Sequence, residues 1–169
     1  MEGNGTMRKI GIIMGSDSDL PVVEKAAAVL DDLQIPYEMH VYSAHRTPDE
    51  VREFSEHARE NGFGVIICAA GMAAHLAGVV AASTTLPVIG IPIKSTVEGM
   101  DALLATVMMP SGIPVATVAI NGSKNAAYLA AEMLAISDPE LADRLKKVRK
   151  EGAENVLKKN AAVEEKFNH

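Results

Sequence analysis

The chain has 169 residues, of which 48% are apolar and 4% aromatic, and its formal net charge is −6. That length and composition suit one domain with an aliphatic core and exclude a disordered or fibrous chain. The acidic balance, with no basic stripe ahead of the C-terminal segment, excludes a dedicated nucleic-acid binder. No apolar run approaches the roughly 20 residues that a membrane-crossing helix needs.

Residues 1–8 read as a disordered start, within which Met7 offers an alternative initiator. Lys9 to Met14 is a continuous, largely β-branched run, the pattern of a strand covered on both faces. Gly15-Ser16-Asp17-Ser18-Asp19 is turn chemistry, with Ser18 or Asp19 able to cap the following helix. That helix carries Val23, Ala26, Ala27, Leu30 and Leu33 on one face and Glu24, Lys25, Asp31 and Asp32 on the other. A second strand runs from Tyr37 to Tyr42 and leads into Ser43-Ala44-His45-Arg46-Thr47-Pro48. Here Thr47 as N-cap, Pro48 at the first helical position and Glu50 three residues past the cap predict a capping box. The helix it opens turns Val51, Phe54 and Ala58 inward. A third strand, Val65 to Cys68, precedes a Gly- and Ala-rich turn from Ala69 to Gly78 and a short helix to about Ser83. A fourth strand, Val88 to Ile91, precedes a loop with Lys94, Ser95 and Thr96. A helix from Met100 to Met108 stops at Pro110. A fifth strand, Val115 to Ile120, leads to a helix from Lys124 to Ala135. A charged helix runs from Pro139 toward Lys159.

Strand–helix units without repeats or linkers predict an α/β fold: a three-layer α/β/α, flavodoxin-like parallel sheet over residues 9–137. Residues 138–169 form an added C-terminal helical extension, too polar to be core. Cys68, the single cysteine, lies in an apolar run and has no internal disulfide partner, which fits a buried thiol in a reducing cytoplasm. Between Val65 and Ser123 the only charged residues are Lys94, Glu98 and Asp101. The helices there present Ala73, Ala74, Ala77, Ala81, Ala82, Ala102 and Ala105 as a small, apolar outer surface, which predicts self-association.

Ligands of open α/β sheets bind at the carboxyl ends of the strands, where three of these turns lie. In the first, Ser16 suits a phosphate oxygen at a helix N-terminus and Asp19 a ribose diol, although plain capping explains the turn equally well. It is neither a GxGxxG fingerprint nor a Walker loop. In the second, His45 suits general acid–base work and Arg46 an anion, with a surface ion pair as the alternative for Arg46. His40 lies in a strand, His57 on a helix surface and His169 at the terminus, and no histidine pair has metal-ligand spacing. The small residues of the third turn allow a flat heterocycle close to the backbone, or simply tight helix packing. No aromatic residue is placed to stack on a flavin.

Four segments, Met14–Asp19, Ser43–Pro48, Ala73–Leu76 and Met109–Val115, together resemble the PurE family, and the likeness runs from about Ile10 to Ala135. The resemblance implies transfer of a carboxyl group from N5 to C4 of an aminoimidazole ribonucleotide, through CO2, in de novo purine synthesis. It implies a homo-octamer with sites at subunit boundaries, and no cofactor: neither metal, ATP nor biotin. By the same resemblance Ser16, Asp19 and Arg46 bind the ribonucleotide with Gly15, Ser43 and Ala44 beside them, and His45 is the acid and base. Ala70, Gly71, Ala73, His75 and Leu76 line the pocket for the heterocycle and carboxylate. The chain departs from the family at Met72 and Ala77, where glycine and proline are usual, and at Met108, where glutamine is. A non-glycine at position 72 is expected to alter that loop's backbone. Two other readings compete: the related carboxylase using free CO2, whose form tends to carry lysine after the histidine, and a non-catalytic, flavodoxin-like nucleotide-binding module.

Overall fold

The computed structural model describes residues 7–168. The expected start over residues 1–6 and His169 lie outside them, whereas Met7 packs against the core. Five strands alternate with helices: β1 (Lys9–Met14), α1 (Leu20–Asp32), β2 (Tyr37–Val41), α2 (Pro48–His57), β3 (Phe63–Ala70), α3 (Leu76–Ser83), β4 (Val88–Pro92), α4 (Met100–Val107), β5 (Ala116–Thr117), α5 (Ser123–Ala135) and α6 (Pro139–Phe167). All strand pairs are parallel, in the order β2-β1-β3-β4-β5.

Alternate side chains of each strand enter two separate cores. Ile10, Ile12, Val65, Ile67, Ile89 and Ile91 face α1 and α5, where Val23, Ala26, Leu30 and Ala126 to Ala131 meet them. Ile13, Ile66, Cys68 and Val88 face α2 and α3, against Val51, Ala58, Ala77 and Val80. Burial on both faces is why the strands read as unbroken apolar runs. Each fully buried Ile, Leu or Phe side chain contributes about 1.5–3 kcal/mol.

Close helix approach depends on missing side chains. A Cβ on Gly11 would stand 2.7 Å from the Phe54 ring, and one on Gly90 would stand 2.3 Å from Cγ2 of Thr106. The same closeness corrects the expected alanine exterior in part: Ala74, Ala77, Ala81 and Ala102 are buried within the subunit, while Ala73 and Ala82 are exposed and Ala105 is half-buried. Small residues draw α3 and α4 down onto the sheet, and larger ones remain outside: Val79, Met100, Leu104, Val107 and Met108. β5 is shorter than expected, because only Ala116 and Thr117 pair in register, with Ile89 and Gly90 of β4. The chain nevertheless follows β4 further through Val118 N–H to Gly90 O and Asn121 N–H to Pro92 O. α6 runs past the expected end at Lys159 to Phe167, and its first turns are core after all, with Leu141 and Leu145 buried against the α1–α5 side.

The strand order sets the location of a crevice. From β1 the chain goes outward to β2 and then returns past β1 to β3, so α1 and α2 cross on opposite faces. Such a reversal parts the connections at the carboxyl ends of β1 and β3. Register keeps those ends level: Met14 pairs with Val41 and with Ala69, and Ala70 with Pro92.

Candidate active site

The first turn is tied to β3 by Gly15 N–H to Ala69 O at 3.1 Å. Ser16 is the residue that caps, accepting from Ser18 N–H at 3.3 Å and from the Ser18 hydroxyl at 2.9 Å. Neither Ser18 nor Asp19 caps α1: Asp19 stands at the N-cap position without a side-chain bond there, because a short 3-10 turn, Asp17–Asp19, intervenes. Asp19 is only 9% exposed. Burial raises its carboxyl above the ordinary 3.8, opposed by hydrogen bonds from the Ser18 hydroxyl and Ser16 backbone and reinforced by the charge of Asp17. A carboxyl with a raised folded-state pKa favours folding below its unfolded pKa, and loses that contribution as pH rises through the folded value. The ionised Asp19 therefore costs stability at neutral pH. Asp19→Asn is expected to melt above the wild type at pH 7, with the gap closing toward about pH 4. A thermal-unfolding pair at both pH values checks this, and a lower melting temperature at pH 7 would contradict it.

The second turn is built differently from a capping box. Thr47 is the N-cap and Pro48 opens α2, as expected, but the Thr47 hydroxyl turns back to the loop. It accepts from Ser43 N–H at 2.9 Å and donates to Ser43 O at 3.2 Å. Thr47 has φ −132° and ψ 58°, and makes no side-chain bond to the first turn of α2. Asp49 and Glu50 still complement the helix dipole there. This clamp of the loop on itself presents the next side chains outward. Arg46 donates its backbone N–H to the Ser43 hydroxyl and its Nη2 to Gly15 O at 2.9 Å, bridging the first and second turns. Among the described residues Arg46 pairs with no carboxylate, so its charge is available to a ligand. His45 Nε2 lies 3.2 Å from His75 Nδ1, with the rings at 77°.

The third turn is Gly71 to His75. Its left-handed residue is Ala73, with φ 50°, and not Met72, so a side chain at position 72 meets no conformational penalty of that kind. Met72 is 71% exposed at the rim. His75 N–H bonds Ala73 O at 2.7 Å and closes the turn ahead of α3, which starts at Leu76. Ala77, the second departure from the family's pattern, is buried in the first turn of that helix. Ile93 N–H to Ala70 O at 2.9 Å fastens the turn to the end of β4.

These turns enclose a cleft of about 400 Å³. It is lined by Gly15, Ser16, Asp19, Ser43, Ala44, His45, Arg46, Ala70, Gly71, Ala73 and Leu76, all drawn from the sequence reading. His75 stands against the His45 ring and is not in the cleft lining. Three lining residues, Ser18, Met72 and Ser95, were not among the expected site residues. Ser95 follows the carboxyl end of β4, so the edge rule that singled out the other turns applies to it as well. The remaining histidines lie elsewhere: His40 stacks on Tyr42 and His57 meets Glu53 and Glu60 on the surface of α2. Among the described residues no cluster of His, Cys, Asp or Glu is arranged to hold a metal ion. Burial pushes the Cys68 thiol far above its ordinary range, which makes it an inert core residue.

The Ser16 turn, Arg46, His45 and a small-residue turn thus share one crevice, with His75 behind the His45 ring. The model of the AIR carboxylase family matches residues 9–155. The chain belongs to the AIR carboxylase family. It is 59% identical over 146 residues to a protein of Pyrococcus abyssi named N5-carboxyaminoimidazole ribonucleotide mutase, covering 86% of this chain and 84% of the relative. A protein of Thermotoga maritima with the same name is 52% identical over 160 residues and 94% of each chain. Among solved structures, that of Treponema denticola PurE superposes with a TM-score of 0.83 at 30% identity, over 95% of this chain and 98% of that one. The AIR carboxylase family match spans every turn of the cleft and most of α6.

Proposed function

We propose that the chain is an N5-carboxyaminoimidazole ribonucleotide mutase of purine biosynthesis, moving a carboxyl group from N5 to C4 through CO2. The observation that supports it most is the single cleft uniting His45 with Arg46 and the Ser16 turn, beside the Gly71–Ala73 wall. The names carried by relatives at 59% and 52% identity agree with it.

Ser16 and Arg46 hold the phosphate and Asp19 accepts hydrogen bonds from the ribose. Gly15, Ser43 and Ala44 keep the backbone close, while Ala70, Gly71, Ala73 and Leu76 surround the ring. His45 as imidazolium gives a proton to N5. The N5–C bond breaks, CO2 departs and a neutral amine remains. The electron pair at C4 of the electron-rich ring attacks the CO2 carbon. His45, now neutral, removes the C4 proton, restoring both the aromatic ring and the imidazolium. One proton is given and one regained, so the balance closes on the same residue. The small walls hold CO2 beside C4, where its effective concentration favours recapture. His75 orients the His45 ring through the bond between their facing nitrogens.

The decisive experiment supplies synthetic N5 carbamate at limiting CO2. A mutase forms the C4 carboxylate there. Product formed only from aminoimidazole ribonucleotide and abundant CO2 identifies the carboxylase, and no product from either identifies a binding module. Arg46-Thr47-Pro48 favours the mutase among these.

The same reading includes a cytoplasmic homo-octamer. Val79, Met100, Leu104, Val107 and Met108 form an exposed apolar face on α3 and α4 that a second copy would cover. No helix among the described residues is long and apolar enough to cross a membrane. On size-exclusion chromatography the wild type is expected as a large assembly and Leu104→Glu as smaller species. A wild-type monomer would refute the assembly.

A further inference from the structure

One hydroxyl in the cleft has no partner among the described residues, and it belongs to Ser95. The other serines there are engaged. Ser16 and Ser18 bond each other, and Ser43 is held as an acceptor from the backbone N–H of Arg46, although its own O–H has no acceptor among the described residues. Ser95 instead stands free against the third turn, where a Cβ on Gly71 would come within 3.2 Å of its Oγ. Ser95 is exposed, and the absence of a side chain at Gly71 keeps the cleft wall beside its hydroxyl clear.

The loop around Ser95 is held on both sides. Lys94 N–H donates to Asn121 Oδ1 at 2.9 Å, and the Thr96 hydroxyl donates to Asp101 Oδ2. Val97, Glu98 and Gly99 then follow in the left-handed region at φ 46°, 56° and 86°. A β-branched valine seldom adopts that region, so the loop keeps a costly shape that neighbouring bonds enforce. Ser95 is carried at the head of this shape, one residue after an anchored backbone and one before an anchored side chain.

We infer that the Ser95 hydroxyl donates a hydrogen bond to the carboxylate being transferred, making it a residue that distinguishes carboxylated from uncarboxylated ribonucleotide. The inference rests on the mutase reading and extends it. A neutral hydroxyl suits this task. It bonds strongly to a carboxylate and weakly to CO2, so it recognises the substrate and product without trapping the intermediate. Its place beside Gly71 sets it against the third turn, which the mutase reading assigns to the ring.

The test is calorimetric titration of wild type, Ser95→Ala and Ser95→Thr with the C4-carboxylated ribonucleotide and with the uncarboxylated one. Ser95→Ala is expected to bind the carboxylated nucleotide about tenfold more weakly or worse, with affinity for the uncarboxylated one unchanged within about twofold. Ser95→Thr, which keeps a hydroxyl, is expected to restore at least part of the loss. Equal losses for both nucleotides, or no loss for either, overturn the assignment of Ser95 alone. Wild-type protein that binds neither nucleotide overturns the ribonucleotide reading itself.

Discussion

His45→Asn is expected to lower turnover of the N5 carbamate by about 10²–10⁴-fold while ribonucleotide affinity stays within a few-fold. Asparagine keeps a polar side chain of similar reach, so the loop held by Thr47 and Ser43 has no reason to refold. On the proposed mechanism it removes the group that gives a proton to N5 and takes one from C4. Asp19, the carboxylate of the cleft lining, sits buried in the first turn and has its own hydrogen bonds. Turnover and calorimetric binding on the same preparation separate the two effects. Near-normal turnover would remove His45 from the mechanism, and loss of binding with turnover in proportion would make it a contact for the nucleotide only.

The second large effect concerns the scaffold. Gly90→Ala is expected to cost about 1–3 kcal/mol, because its new Cβ would sit 2.3 Å from Cγ2 of Thr106 and 3.4 Å from Cβ of Ala77. Thr106 has little room to yield: it is buried, and its hydroxyl donates to Ala102 O at 2.7 Å. α4 must therefore lift from β4, in the layer that carries the exposed apolar face. For a chain of this size the loss corresponds to a fall in melting temperature of roughly 2–12 °C. Adding Thr106→Ser removes the clashing methyl and keeps the hydroxyl, so the double variant is expected to recover most of the stability. A Gly90→Ala protein that melts with the wild type would show that the contact between α4 and β4 is looser than its geometry implies.

Both predictions draw on features with different visibility in the amino-acid order. Strands β1 and β4 and the start of α2 were legible because unbroken β-branched runs and Pro48 are local signals. The three turns of the cleft were legible for the same reason: Ser, Asp, His, Arg and Gly stand at the ends of recognisable strands. The failures are non-local. The Thr47 side chain bonds Ser43 and not its own helix, since the loop's path offers a nearer partner. The alanines of α3 and α4 read as an outer surface, but small side chains serve equally to bring a helix onto a sheet, and contact alone distinguishes the two. Ser95 reads only as part of the loop after β4, and its closeness to Gly71 depends on β4 lying next to β3.

The amino-acid sequence by itself determined which segments are strands and helices, which faces of the strands and of α1 and α2 are buried, and which turns carry reactive side chains. Those properties follow from side-chain periodicity and turn preference within a few residues. Only the tertiary structure decided that β1 lies between β2 and β3, that Arg46 reaches Gly15, and that His45 meets His75 across 30 residues of chain. Such meetings depend on the face by which each helix crosses the sheet and on the register of strands distant in sequence. No local pattern encodes either, so the His45–Arg46 turn acquires its partners only once the sheet is assembled.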